Sequence, residues 1–143
     1  MRASAEIVVE RPVRAVWEWA TDPRHWEQWQ GDIAAETAGD RITARYVYGD
    51  ETGEAVYEVA ESTPPRRHVV RSVSGPYRFE GILELSEHVG GTRVRQTAIT
   101  GPSDLLTRAA FVVAWPLVRR GMRRRIVAQL ERLKAMVELE AAL

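Results

Sequence analysis

Hydrophobic and polar residues alternate along the middle of the chain, from about residue 32 to residue 100. A period of two is typical of β-strands that bury one face. The alternation is interrupted by glycine- or proline-containing segments with the sequences AGDR, YGDETGE, STPPRR, SGPY and EHVGGT. Because such segments between alternating runs favour hairpins, this region predicts an antiparallel meander of roughly six strands.

The residues before the meander predict one further strand and two short helices. Residues 4–10, SAEIVVE, are rich in β-branched side chains and lead into Arg11 and Pro12, which favours a strand followed by a helix start. A first short helix is expected from Val13 to Ala20. In the segment DPRHWEQW, Asp22 is a good N-cap residue and Pro23 suits the first helical position, so a second short helix is expected there.

The residues after the meander predict one long helix. Beyond Gly101 and Pro102 the hydrophobic period becomes helical and stays so to the end of the chain, with Ser103 as the predicted N-cap. Pro116 is expected to kink or split this helix, because proline lacks the backbone N–H and clashes with the preceding turn. The longest apolar run, AAFVVAWPLV at residues 109–118, is about half as long as a membrane-spanning helix. No transmembrane segment is therefore expected.

Length and composition narrow the class of protein. A chain of 143 residues predicts a single domain, residues 1–143, and the order of elements places it in the α+β class. Twenty acidic and twenty basic side chains give zero net charge, so no nucleic-acid partner is expected. Cysteine is missing, the three histidines are scattered, and no cofactor fingerprint is present, so neither a metal nor a cofactor is expected. The N-terminus lacks the apolar core of a signal peptide, which favours a cytoplasmic location.

Two segments of the chain carry longer sequence patterns. RPVRAVWEWATDPRHWEQW, residues 11–29, contains Pro12, Val16, Trp17, Thr21, Asp22, Pro23 and Trp29 at characteristic spacings. FEGILELSEHVGGTRVRQ, residues 79–96, joins a Phe-x-Gly strand to a Gly-Gly-Thr-x-Val strand. Both patterns resemble the START/SRPBCC superfamily, and within it the small bacterial polyketide cyclase/dehydrase-like members. The resemblance covers nearly the whole chain.

The resemblance implies a helix-grip fold, in which a seven-stranded antiparallel curved sheet wraps around a long C-terminal helix and two short helices follow strand 1. This fold implies an internal cavity between the sheet and the helix. The superfamily includes lipid carriers, cyclases and hormone receptors, so the fold alone does not select an activity. Aromatase/cyclases of this fold carry a functional serine and arginine at positions that correspond to Ala60 and Ser62 here. The resemblance therefore does not carry cyclase activity over to this chain.

Opposite charges that face each other across a hairpin set the predicted register of three strand pairs. The pairs are Arg71 with Glu80, Glu84 with Arg95, and Arg45 with Glu58. These registers place the charges on an outer face and leave a mostly apolar inner face. The inner face then consists of Ala44, Tyr46, Tyr57, Val59, His68, Val70, Ser72, Phe79, Leu83, Val94, Gln96 and Ala98.

Four polar side chains fall on this inner face, those of Tyr46, Tyr57, His68 and Gln96. A solid core seldom holds four such groups, since each one without a partner costs on the order of 1 to 3 kcal/mol, whereas a binding chamber uses a few polar groups to orient its ligand. The alternative is that the tyrosines lie near the sheet ends with hydrated hydroxyls and that His68 is hydrogen-bonded or exposed. The residues predicted to bind a ligand are Trp26, Trp29, Tyr46, Tyr57, His68, Val70, Phe79, Leu83, Gln96, Phe111 and Trp115.

The tryptophans and the long helix supply the walls of the predicted chamber. Trp17 is expected in the core, Trp26 or Trp29 at the chamber mouth, and Trp19 partly exposed. Phe111 and Trp115 are assigned to a portal. One helical stripe is expected to pack on the sheet, namely Val118, Met122, Ile126, Leu130, Leu133 and Val137.

Three functions remain open at this point. The first is binding or transport of a hydrophobic small molecule, such as a polyketide, a lipid or an isoprenoid quinone. The second is an enzyme of the cyclase or dehydratase type, in which His68 and a tyrosine move a proton. The third is an accessory protein acting on a membrane or a macromolecule through an arginine cluster, which is either a solvated helix face or an anion-binding site for a lipid head group, a membrane surface or nucleic acid. That cluster consists of Arg119, Arg120, Arg123, Arg124 and Arg125.

Overall fold

The computed structural model describes residues 2–30, 33–39, 41–48, 51–74, 78–101 and 105–142. Within these ranges the chain forms seven strands, three α-helices and one short 3₁₀ helix at Pro23–His25. The helices are α1 (Val13–Ala20), α2 (Trp26–Trp29) and α3 (Leu105–Ala142). The strands are β1 (Arg2–Val9), β2 (Ile33–Ala38), β3 (Arg41–Tyr48), β4 (Glu51–Thr63), β5 (Arg67–Ser74), β6 (Arg78–His88) and β7 (Gly91–Gly101).

All seven strands form one antiparallel sheet in the order β1-β7-β6-β5-β4-β3-β2. The six strands that follow α2 are hairpin neighbours, and β1 closes the order by pairing with β7, the last strand. The predicted meander, the extra first strand and the α+β class are confirmed. Short connections between sequential strands account for this order, because each hairpin pairs with the strand before it.

The sheet buries one face against α1 and the second half of α3. Leu83 and Leu85 of β6 and Val94 of β7 belong to the same buried cluster as Leu130 and Leu133 of α3. The predicted helical stripe is therefore confirmed from Met122 onward, with Met122 itself only half-buried. We call this helix-facing side of the sheet the inner face.

Two of the three predicted registers are confirmed. Arg71 lies opposite Glu80, and Glu84 lies opposite Arg95. These pairs fix which side chains of β5, β6 and β7 point to the inner face.

The third predicted register, Arg45 with Glu58, is wrong by four residues. Arg45 lies opposite Glu54 and Arg41 lies opposite Glu58, with ion pairs of 4.0 Å and 3.9 Å respectively. The pairing of β3 with β4 continues until Tyr48 lies opposite Glu51, so the tighter hairpin gains ladder hydrogen bonds that the predicted register would lose. Because the shift is an even number of residues, the predicted inner face is preserved.

The two short helices begin as predicted and bury more aromatic surface than predicted. Asp22 caps the 3₁₀ helix by accepting a hydrogen bond from the backbone N–H of Arg24 at 3.0 Å. Trp17 is buried in the core, as predicted. The expectation that Trp19 is partly exposed is wrong, because its ring stacks on His25 at 4.4 Å and joins the same cluster. The His25 Nδ1 atom also lies 2.8 Å from the Trp19 carbonyl oxygen.

Helix α3 passes through Pro116 without interruption, so the expected split is wrong. The carbonyl that loses its partner to a proline four residues later is that of Val112, and the side chains of Val112, Val113 and Pro116 are exposed. Water can solvate the helix there, which lowers the cost of the missing hydrogen bond. Ser103, the predicted N-cap, lies outside the described residues. In the described part of the chain, no helix is long and apolar enough to cross a bilayer.

Candidate ligand-binding site

A row of three inner-face side chains crosses β5, β6 and β7. His68 lies opposite Leu83, and Leu83 lies opposite Gln96, so the three side chains share one face and one level of the sheet. Two strand spacings separate His68 from Gln96, which is about 10 Å between their backbones. All three side chains are buried. The row therefore places an imidazole and an amide on either side of an apolar residue in the interior.

His68 is held by α1 rather than by a hydrogen bond. Its ring meets Trp17 edge to face at a centroid distance of 5.7 Å and an interplanar angle of 87°. Only 8% of the residue is exposed, and this burial lowers the pKa of His68 below its usual value of 6.5. Among the described residues, the ring has no hydrogen-bond partner. A neutral imidazole thus faces the interior with its polar atoms unused.

Gln96 is also buried without a partner. Its Oε1 atom is inaccessible to solvent, and its side-chain amide forms no hydrogen bond with the described residues. The neighbouring inner-face position on β6 is Gly81, where an added Cβ would lie 3.2 Å from Phe79 Cε1 and 3.8 Å from Gln96 Nε2. Glycine at this position therefore allows the Phe79 ring to lie close over β6, next to the amide.

Three aromatic rings extend the site toward β4 and α2. Tyr57 meets Trp26 edge to face at 6.2 Å and Phe79 edge to face at 6.0 Å. Trp26 and Tyr57 pack with Ile42 and Val70 in a second, smaller buried cluster. The backbone N–H of Phe79 donates to the Ser72 hydroxyl at 2.9 Å, which ties the start of β6 to β5. This part of the inner face is aromatic and apolar.

Trp29 joins α2 to the long helix. Its side chain is fully buried and its indole N–H has no partner in the described part of the molecule. The Trp29 carbonyl accepts a hydrogen bond from Arg132 Nε at 3.1 Å, and the carbonyl of Gln30 accepts one from Gln129 Nε2 at 3.2 Å. These bonds fix α2 against α3 and hold the tryptophan inside.

Comparison with known proteins identifies the family to which the chain belongs. The sequence profile described as polyketide cyclase / dehydrase and lipid transport matches residues 1–138. The chain belongs to this family. The resemblance inferred from the sequence is thereby confirmed, together with the helix-grip fold of the SRPBCC type. The family as a whole supports a fold that binds hydrophobic ligands.

Several solved structures share the fold at low sequence identity. A protein from Thermus thermophilus, TTHA0849, is 21% identical, with 100% of both chains covered and a TM-score of 0.79. A conserved protein from Geobacillus kaustophilus is 18% identical over 96% of this chain and 95% of its own, with a TM-score of 0.77. SA2116 from Staphylococcus aureus, a protein of unknown function, is 9% identical over 100% and 96%, also with a TM-score of 0.77. No curated protein matches the sequence.

Most of the predicted binding residues of this family member meet on the inner face. The structure does not describe the side chains of two of them, Tyr46 and Phe111. Trp115 is half-buried and interacts with another residue. Trp26 and Trp29 are both buried, and the placement of one of them at the chamber mouth stays a prediction. The residues that the structure brings together are Trp26, Tyr57, His68, Val70, Phe79, Leu83 and Gln96.

Sequence reasoning missed two contributors to the site. Trp17 is predicted for the core alone, yet its ring also holds the His68 imidazole. Gly81 gives no signal beyond its place in a strand, although a glycine inside a strand often marks a close approach or a ligand. Among the described residues, no group of three His, Asp or Glu side chains is placed to hold a metal ion.

Proposed function

We propose that the protein binds a hydrophobic small molecule between the inner face of the sheet and α3, and that the ligand is of the polyketide, lipid or isoprenoid quinone type. The family supports hydrophobic ligand binding in general terms. The observation that carries the finer proposal is the buried Gln96 Oε1 atom, which lacks a hydrogen-bond partner in the described part of the chain.

The energetic argument concerns unpartnered polar groups. A buried polar group without a hydrogen bond costs on the order of 1 to 3 kcal/mol. The Gln96 Oε1 atom carries this cost within the described part of the chain. A ligand hydroxyl that donates to Gln96 Oε1 removes the cost on binding, while the aromatic rings of Trp26, Tyr57 and Phe79 cover the apolar part of the ligand. Polyketides, reduced quinones and protonated fatty acids all carry such a hydroxyl on an apolar body.

A matched pair of variants on β7 tests the proposal. Gln96→Met keeps the length of the side chain and removes its polarity, whereas Thr97→Val is a similarly conservative change at the next residue, which is buried on the opposite face. Affinity for decylubiquinone and for oleate is measured by quenching of tryptophan fluorescence. We expect Gln96→Met to weaken binding of at least one of them about tenfold, or about 1.4 kcal/mol, and Thr97→Val to leave it unchanged.

Gly81→Leu tests the location independently. A leucine there would displace the Phe79 ring, because even its Cβ would lie 3.2 Å from Phe79 Cε1, and should abolish binding of both probes. Native mass spectrometry of the purified natural chain shows whether a small molecule is retained. Absence of any retained molecule, together with no response to quinone or fatty acid, would refute the proposal.

A second candidate function follows from the His68 imidazole. Burial favours its neutral form, and a neutral imidazole without a hydrogen-bond partner among the described residues can accept a proton from a substrate that enters the interior. An enzyme of the cyclase or dehydratase type would use it in this way. His68→Ala should then abolish turnover of a poly-β-ketone while ligand affinity stays nearly unchanged. Unaltered turnover would exclude His68 from the mechanism.

A further inference from the structure

The longest apolar run of the sequence is also the most exposed apolar part of α3. We call residues 109–118 the apolar segment. Its described side chains include Val112, Val113 and Leu117, which are 62%, 84% and 77% exposed. Contiguous exposed apolar surface of this kind is unusual on a protein that stays alone in water and marks a contact surface.

Val113 and Leu117 of the apolar segment face away from the sheet. Val113 and Leu117 lie one turn apart, and Met122 follows Val113 by nine residues, or about two and a half turns. The row that begins at Met122 packs on the sheet, so Val113 and Leu117 lie on the opposite side of the helix. Folding of the domain alone therefore leaves these side chains in solvent.

Basic residues continue the same surface. Arg120 and Arg124 follow Val113 and Leu117 along one helical stripe, at spacings of three and four residues. Arg119, Arg123 and Arg125 lie beside them, and all five arginines are exposed. In the described part of the chain, none of the five forms a salt bridge. Between Leu105 and Leu130 the sequence contains no Asp or Glu, so the positive charge of this surface is not neutralised locally.

We propose that the apolar segment and the five arginines dock the protein on a bilayer that carries anionic lipid. Apolar side chains enter the boundary between headgroups and acyl chains, while guanidinium groups bind lipid phosphates. The surface offers both chemistries side by side on one helix. The proposal does not depend on the interior ligand.

Two other occupants of this surface, a second copy of the chain and a nucleic acid, fit it less well. A symmetric contact with a second copy of the chain would bring two sets of uncompensated arginines together, which is unfavourable. A nucleic acid would bind the arginines but would leave the exposed valines and Leu117 in water. Of these three occupants, an anionic bilayer is the one that satisfies the apolar and the basic halves together.

The test uses the full chain and vesicles of two compositions, phosphatidylcholine alone and phosphatidylcholine with an equal amount of phosphatidylglycerol. Co-sedimentation is measured at low and high salt. We expect binding to the anionic vesicles to be at least about tenfold tighter at low salt and to weaken as salt rises. Val113→Ser/Leu117→Ser and Arg120→Gln/Arg124→Gln should each weaken it about tenfold, and the arginine variant should also reduce the salt dependence.

Matched controls separate a specific surface from general charge or hydrophobicity. Arg2→Gln/Arg14→Gln removes two exposed arginines elsewhere, and Leu139→Ser removes an exposed leucine from the far half of α3. Both should bind like the natural chain, and melting curves verify that every variant folds. Equal loss in the controls would overturn the proposal.

The remaining outcomes are also decisive. Failure of the natural chain to bind anionic vesicles would refute bilayer docking whatever the interior site binds. Assembly into dimers that is lost in Val113→Ser/Leu117→Ser would assign the surface to a second copy. Binding to DNA that exceeds vesicle binding and depends on Arg120 and Arg124 would assign it to nucleic acid.

Discussion

Both halves of α3 contain several apolar residues, but these side chains are buried in the second half and exposed in the first. In the second half, Ile126, Leu130, Leu133 and Val137 are buried against the sheet. In the first half, Val112, Val113 and Leu117 face solvent. An apolar helical residue is therefore not evidence of a core position unless another element is there to cover it.

Polar contacts strengthen the difference between the halves. Lys134 Nζ donates to the Val8 carbonyl, Arg11 donates to the Val137 carbonyl, and the Glu10 N–H donates to the Glu138 carboxylate. Together with the bonds to α2, these contacts anchor the second half to β1 and α2. The first half carries the proposed bilayer surface. Anchoring and contact surface are thus separated along one continuous helix.

The largest expected effect compares one leucine from each half. Leu133 is 0% exposed and Leu117 is 77% exposed. Leu133→Ala should lower the free energy of unfolding by about 2 to 5 kcal/mol, because it leaves a cavity in the core. Leu117→Ala should change it by no more than about 0.5 kcal/mol. Urea unfolding measures both, and equal effects would mean that the first half is packed after all.

A second effect is expected where the end of β1 meets the start of β7, next to the residues that bind the second half of α3. A Cβ at Gly91 would lie 2.0 Å from the Val9 carbonyl oxygen, so Gly91→Ala must displace the backbone that leads to Glu10. We expect a loss of about 1 to 3 kcal/mol. Gly101→Ala, at the other end of β7, has open space and serves as the control. A neutral Gly91→Ala would show that this end tolerates movement.

A smaller, stabilising effect is expected at Gly121, where the two halves of α3 meet. Gly121 lies within α3, is exposed, and has nothing within 4 Å of an added Cβ. Because glycine is the weaker helix former, Gly121→Ala should raise the free energy of unfolding by about 0.5 to 1 kcal/mol. Thermal unfolding measures the gain. Destabilisation instead would mean that the helix needs flexibility where its anchored and exposed parts meet.

The smallest effect is a pH dependence in the interior beside the anchored half. Burial lowers the pKa of His68 in the folded state below the unfolded value of 6.5. Between these two pKa values the unfolded chain binds more protons, so the stabilising difference is complete above 6.5 and is lost as pH falls. His68→Phe should flatten the dependence of the unfolding free energy between about pH 7 and about pH 5. An identical slope in both proteins would show that His68 is not the responsible group.

Much of the architecture was readable from local patterns. The period-two run with its turn sequences specified the strands, and Asp22 with Pro23 specified a helix start, because both signals depend on neighbouring residues only. The register of β3 and β4 was not readable. Arg45 meets a glutamate at either register, so charge pairing alone could not choose between Glu54 and Glu58.

The candidate site was predictable only in part. Alternation placed His68, Leu83 and Gln96 on one face, and the confirmed registers put them in one row. Neither the Trp17 edge against His68 nor the Phe79 ring over Gly81 follows from alternation, because both depend on how side chains pack in the folded protein. The same reason explains why the expected exposure of Trp19 is wrong: its partner His25 belongs to another element.

By itself, the sequence determined the element types, most of the strand pairing, and the family, since these depend on periodicity, turn chemistry and motif spacing. Tertiary structure alone decided which apolar residues are covered. The sheet reaches the second half of α3 and leaves Val113 and Leu117 in solvent, and burial depends on the whole arrangement of elements rather than on any one residue's hydrophobicity.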